Sequence, residues 1–219
     1  MNTEKRLGPG LPGGINRVQV GVGPHNVKPD WWNTDIRPFD GVDEAMDATL
    51  PWKWQNQLDF IFAEHFFEHI DINAGLHFLL NAGNALRPGG IIRLSTPSLE
   101  WVLKTHFHFA APEDDRQIEE TFAINRAFYG WGHRFLYSKA MLHWVLQAVG
   151  LIDISFHAYG ESQVPALQGL EAHGGWGIEH GYPSVWIVEA KRGVPALSLQ
   201  EDVAARIHKT FSSHVLSGH

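Results

Sequence analysis

The sequence predicts an α/β fold: a mostly parallel sheet covered on both faces by helices. Three observations carry this. Short β-branched or apolar runs alternate with stretches of helical periodicity through most of the chain. The first such run, around Val18, Val20 and Val22, breaks at once into Gly21, Gly23 and Pro24, a glycine turn that lets a ligand press against bare backbone. LDFIFAEH, from Leu58 to His65, is a nearly continuous apolar run ending in polar residues, as suits a buried parallel strand whose C-terminal end faces a site.

In order, strand one is expected at Val18 to Val22, strand two at Trp32 to Ile36, and a short third near Val42 to Asp47. Strand four is the Leu58 run. Leu76, Leu79, Leu80 and Leu86 mark a helix from Asn73 to Leu86, stopped by Arg87-Pro-Gly-Gly90. Ile91 to Thr96 is the next strand. Short helices follow at Ser98 to Phe107 and Glu113 to Phe128. Ser138 is a helix N-cap, and Gly150 stops the helix from Lys139 to Val149. Strands are expected at Leu151 to Tyr159 and Ser184 to Lys191, with a helical turn within Pro165 to His173. Ser198-Leu-Gln-Glu201 reads as a capping box. It opens an amphipathic helix with Val203, Ile207 and Phe211 on one side, packed either on its own sheet or on a second copy in a homodimer. The domain plan is a Gly/Pro-rich leader over 1–16, one domain over 17–193 with an insert at 98–137 as acceptor cover, and a C-terminal helix over 194–219.

Composition narrows the partners. The 219 residues include no cysteine, nine tryptophans and fourteen histidines, with a formal charge of −7. The negative charge argues against a nucleic-acid partner. No apolar run approaches membrane-spanning length and the N-terminus has no signal-peptide h-region, so no membrane partner is expected. The lack of cysteine fits a cytoplasmic protein.

The stretch from Arg17 to Ile36, RVQVGVGPHNVKPDWWNTDI, suggests a nucleoside-containing cofactor, because Asp35 ends the second strand where a carboxylate accepts ribose hydroxyls. A pyrophosphate dinucleotide fits poorly. Its fingerprint needs a third glycine where Asn26 stands, and a crossover helix whose N-terminus holds phosphate. Pro24 to Asp30 is too short for one. A cofactor with a ribose and no phosphate fits better, and S-adenosylmethionine is one.

The ordered motifs GVG, WWNTDI, DATLPW, LDFIFAEHFFEHI, ALRPGGIIRLSTPSLEWV, GHRFLY and LQAVGLIDI resemble a class I S-adenosylmethionine-dependent methyltransferase. More narrowly, they are similar to those of bacterial predicted methyltransferases with EH-x-x-EH and L-x-PGG motifs. Val22 departs from that pattern, which often has cysteine there. The resemblance covers roughly residues 15 to 191. It implies a Rossmann-like seven-stranded sheet of order 3-2-1-4-5-7-6, strand seven antiparallel, with an abbreviated first crossover. It further implies Gly21 and Gly23 against the methionine part of the cofactor, Asp35 on the ribose, and Asp47 and Ala48 at the adenine. Ala63, Glu64 and His65 would border the methyl group. The implied activity is methyl transfer to an oxygen or nitrogen of a small molecule, a sugar or a biosynthetic intermediate being the suggested acceptors.

A hydroxyl acceptor usually needs a base, and histidine suits that role. His65 is one candidate. His133, in Gly132-His-Arg-Phe-Leu-Tyr137, is another, with Tyr137 as a hydrogen-bond donor to the acceptor; the alternative is that both residues only anchor the following helix. His65-x-x-Glu68-His69 also matches the H-x-x-E-H of inverted zinc peptidases, with both histidines as ligands and Glu68 as base. Glu100, Glu113, Glu119 or Glu120 would supply a third ligand. Against that hydrolase stands the longer methyltransferase-like context, in which Glu68 and His69 tie a helix start to a neighbouring loop. A third reading is a protein that binds the cofactor without transferring methyl. His106 and His108 read as pocket lining. Phe107, Phe109, Phe128, Tyr129 and Trp131 either enclose a substrate or pack an inserted helix. Gly160-Glu-Ser162 and Gly169-Leu-Glu-Ala-His173 either reach the acceptor pocket or join subunits.

Overall fold

The structure is a computed structural model that describes residues 16–108, 115–173 and 177–217. The expected leader lies almost wholly outside the described residues, as do Phe109 and Glu113. Seven strands form the main sheet: β1 (Arg17–Val20), β2 (Trp32–Asp35), β3 (Glu44–Ala45), β4 (Leu58–Glu64), β5 (Leu86–Pro97), β6 (Leu151–His157) and β9 (Val185–Arg192). Their order is β3-β2-β1-β4-β5-β9-β6. The first five run parallel, and β9 is antiparallel to both β5 and β6. This is the expected 3-2-1-4-5-7-6 topology. A small hairpin not foreseen from the sequence, β7 (Ile178–Glu179) with β8 (Tyr182–Pro183), precedes the last strand.

Strand β4 sits in the middle and explains the continuous apolar run. Ile61 and Ala63 face the main core, while Phe60 and Phe62 face a second cluster with Trp31, Leu167 and Leu170. Alternate residues of a strand point to opposite faces, so a strand buried on both sides has no polar face to show. The main core is completed by α1 (Ile72–Ala85), α4 (Lys139–Ala148) and α5 (Glu201–Ile207) through Phe78, Leu79, Leu142, Val145, Val203 and Ile207. No helix fits between β1 and β2, as the short crossover predicts; a loop carries Trp31 across the sheet instead.

The caps follow local chemistry. Asp71 accepts from the N–H groups of Asn73 and Ala74 at the start of α1. Ser98 caps α2 (Leu99–Thr105), and Ser138 caps α4 by accepting from Met141 N–H, each satisfying an orphan donor of the first turn. Two expectations need correction. The Arg87-Pro-Gly-Gly90 stop lies inside β5, which pairs with β4 from Leu86 onward; the register then jumps, so these four residues bulge out opposite Asp59. The C-terminal helix is capped at Gln200 with no side-chain hydrogen bond, not by a box on Ser198, and beyond Ile207 it widens into a π-type turn over His208–Leu216.

The second face carries a buried ion cluster. Arg93 on β5 is fully buried. Its guanidinium donates to both oxygens of Glu171 at 2.7 and 3.0 Å, to Glu189 at 2.5 Å and to the Glu161 carbonyl at 2.9 Å. Such a fork matches carboxylate geometry, and it fastens the 161–171 segment to the sheet.

Candidate active site

A cavity of about 530 Å³ opens at the C-terminal ends of β1, β2 and β4. That is the usual ligand position in an open α/β sheet, and the size suits a drug-sized ligand, roughly 300–1,000 Å³. Of the sequence-predicted residues, Gly21, Gly23, Asp35, Asp47, Ala48, Glu64 and His65 line it.

The glycine turn forms the floor. Gly21 and Gly23 hold φ of +68° and +58°, in the left-handed region that favours glycine. A Cβ on Gly21 would lie 2.6 Å from the Phe66 ring, whereas one on Gly23 would meet nothing within 4 Å. Gly21 is thus required by packing and conformation, and Gly23 leaves its backbone open to the cavity. Asp35 is aimed by that turn: Gly23 N–H donates to Oδ2 and Arg37 N–H to Oδ1, both at 2.9 Å. Each oxygen keeps a lone pair for a ligand hydroxyl. At the other end, Asp47 closes its own turn by accepting from Thr49 N–H and Oγ1, at 2.9 and 2.7 Å, and Ala48 is buried beneath it.

Glu64, at the end of β4, is 3% exposed. Its carboxylate accepts from the N–H groups of Ala172 and His173 at 2.9 and 3.0 Å. With Glu171 held by Arg93, this brings the second polar run of the sequence to the cavity rim. His173 lines the cavity, with its ring centroid 5.1 Å from that of His65. The sequence offered no argument for this. The deciding signal is a buried arginine in a strand, visible only once β5 and β9 pair.

His65 has φ of +47° and donates from Nδ1 to Glu68 Oε1 at 2.8 Å. Glu68 is fully buried, and Thr96 Oγ1 donates to its other oxygen at 3.0 Å. Burial disfavours the charged His65 ring, but the hydrogen bond and charge of Glu68 outweigh it and raise the ring's pKa above the ordinary value. Burial likewise works against the Glu68 carboxylate, and its bond to His65 still holds its pKa below the usual range. A buried carboxylate thus fixes one imidazole nitrogen of a ring that lines the cavity, an orienter-and-base arrangement.

Three other predicted residues sit elsewhere. Ala63 is buried in β4 behind the wall. Tyr137 is fully buried, stacked on Phe67 with centroids 4.4 Å apart, and its hydroxyl has no hydrogen-bond partner among the described residues. It is a packing residue and not a lining one. His133 lies behind His69 (centroids 5.1 Å apart) and donates from Nδ1 to the Ala127 carbonyl at 2.6 Å; burial lowers its pKa. The zinc arrangement expected of His65 and His69 is also rearranged. His65 is engaged by Glu68, and the donors gathered with His69 are Glu68 and His133. His106 stacks edge-on against Trp101, and His108 binds Glu120 through its ring and backbone N–H, so neither lines the cavity. Helix α3 (Asp115–Asn125) buries no residue, and Tyr129 and Trp131 are exposed.

No family model matches the chain, and no curated protein matches its sequence. Solved structures do match. A SAM-dependent methyltransferase from Archaeoglobus fulgidus is 16% identical over 81% of this chain and 86% of its own, with a TM-score of 0.51. An S-adenosylmethionine-dependent methyltransferase from Mesorhizobium loti is 15% identical over 83% of this chain and 94% of its own, also at 0.51. The chain spans only 50% of the CurJ carbon methyltransferase, at 14% identity, 84% coverage of this chain and a TM-score of 0.47. Strand order, the antiparallel seventh strand and the first two of these neighbours together give the chain the Rossmann-like fold of the class I S-adenosylmethionine-dependent methyltransferases.

Proposed function

We propose that this protein transfers methyl from S-adenosylmethionine to an oxygen or nitrogen of a small molecule, a sugar or biosynthetic intermediate being the acceptor class suggested by the sequence resemblance. The observation that carries the reading is Asp35. Its carboxylate is held by two backbone N–H groups at the end of β2, beside a glycine turn whose Gly23 leaves the backbone bare to the cavity. In this reading Asp35 takes the ribose hydroxyls, Gly21 and Gly23 lie against the methionine part, and Asp47 with Ala48 meets the adenine. Glu64 borders the methyl group by holding the 172–173 backbone as a wall, and Ala63 supports that wall from behind, within β4.

The cofactor, when bound, supplies an activated methyl group. The chain's own residues have to align the acceptor and exclude water. His65 is suited to remove the proton from an acceptor hydroxyl through Nε2, with Glu68 holding Nδ1–H and stabilising the charge that results. The test is calorimetric titration of the protein with S-adenosylmethionine and S-adenosylhomocysteine. Micromolar binding of both is expected, and no binding to folded protein would overturn the reading. Binding without turnover over a broad panel of acceptors would instead favour a cofactor-binding protein.

A further inference from the structure

We propose that Glu68, His69 and His133 form a binding site for one divalent transition-metal ion of the zinc class at the rim of the cavity. One donor atom from each of the three lies within 4.8 Å of the others, and among the described residues no other group of His, Asp or Glu does this. Donor atoms about 2.1 Å from a tetrahedral ion sit roughly 3.4 Å apart. Closing the remaining gap takes small rotations of two solvent-accessible rings.

The rings are prepared for it. His133 Nδ1 lies 2.6 Å from the Ala127 carbonyl, and His69 Nδ1 lies 3.3 Å from the Gly132 carbonyl. A carbonyl only accepts, so both Nδ1 atoms carry the hydrogen and both lone pairs are on Nε2. That is the tautomer and outer hydrogen bond typical of metal-bound histidines. The carboxylate is likewise oriented from behind, by His65 and Thr96, and each of its oxygens keeps a lone pair. The two segments that carry the ligands are locked together, since Arg134 and Phe135 N–H donate to the Glu68 carbonyl at 2.7 and 3.2 Å. Two imidazoles and one carboxylate on pinned backbone make a donor set for zinc, cobalt, nickel or iron, with coordination positions left open.

His69 also lines the cavity, so an open position is accessible to an acceptor. Resting on the methyl-transfer reading, the ion would then take an acceptor oxygen or nitrogen as a further ligand and fix it beside His65.

The test is metal binding itself. Metal-free full-length protein is titrated with Zn²⁺ by calorimetry and with Co²⁺ by visible absorption, and S-adenosylmethionine titrations are run separately on the same samples. The expected result is one ion per chain with a tetrahedral or five-coordinate Co²⁺ spectrum. His69→Ala and His133→Ala should each weaken affinity at least about tenfold, while His77→Ala, on the exposed face of α1, should not. Circular dichroism confirms that the variants are folded. Millimolar or multiple-site binding, or equal loss in His77→Ala, would overturn the proposal. So would loss in His173→Ala with retention in His133→Ala, which would assign the ion to the His65–His173 pair. Metal binding without cofactor binding would leave the site standing and remove the methyl-transfer reading.

Discussion

At the scale of single residues, the site separates groups that touch a ligand from groups that hold those groups. In the proposed reading Asp35 belongs to the first kind. Replacing it by Ala should weaken S-adenosylmethionine binding by about 1–3 kcal/mol, the cost of lost charged hydrogen bonds, or roughly five- to a hundredfold. Calorimetry measures this, and unchanged affinity in a folded variant would remove Asp35 from the ribose role. Tyr137 belongs to neither kind. Its ring stacks on Phe67, its hydroxyl is buried without a partner among the described residues, and burial followed by the charge of Glu68 pushes its pKa well above the ordinary tyrosine value. A buried unpaired hydroxyl contributes nothing to stability and costs desolvation. Tyr137→Phe should therefore keep both kcat and KM and hold or raise the midpoint of chemical denaturation. A drop in kcat with intact stability would return Tyr137 to the acceptor side.

At the scale of elements, the wall over the cavity is secured from beneath the sheet. Arg93 is a charged residue in a central strand, tolerable only because Glu171 and Glu189 pair with it and the Glu161 carbonyl accepts from it. Removing one partner from such a buried cluster strands a charge, at about 3–5 kcal/mol. Arg93→Leu leaves two carboxylates facing each other and should destabilise the fold by that amount in urea unfolding. Glu171→Gln keeps the shape and should cost less, while loosening the 161–173 segment and slowing any turnover that depends on His173. The glycine turn is a second element whose function is conformational. Gly21→Ala would force both a left-handed alanine and a contact with Phe66. Gly23→Ala is strained in the same left-handed way, and its Cβ would enter the cavity space that the proposed reading gives to the cofactor. Both variants should therefore weaken S-adenosylmethionine binding in calorimetry, and Gly21→Ala should also lower stability through its contact with Phe66.

At the scale of the whole molecule, what the sequence revealed and what it hid divide by the range of the interactions. The sheet order and the central strand were legible, because apolar runs and glycine stops are local and the resemblance supplied the topology. The bulge at Arg87–Gly90 was not, since it depends on β4 and β5 sharing a register. The cluster of Glu68, His69 and His133 was half legible: the first two are neighbours in sequence, and the third arrives 64 residues later through backbone hydrogen bonds to the Glu68 carbonyl. The C-terminal helix left two options open, and its packing within one chain supports the first. Val203, Ile207 and Phe211 are at most 7% exposed within a single chain, and Phe211 meets Phe135 edge-on at 5.7 Å. The helix thus finishes the chain's own core. Phe211→Ala should then lower stability by about 3–5 kcal/mol, and the thermal midpoints of both forms should be independent of protein concentration. If the helix instead packed on a second copy, folding would be coupled to association. The midpoint of the parent protein would rise with concentration, and the penalty of the substitution would shrink on dilution as the dimer dissociated. A dilution series of denaturation curves separates the two, because only intramolecular packing gives a constant difference between the parent and Phe211→Ala.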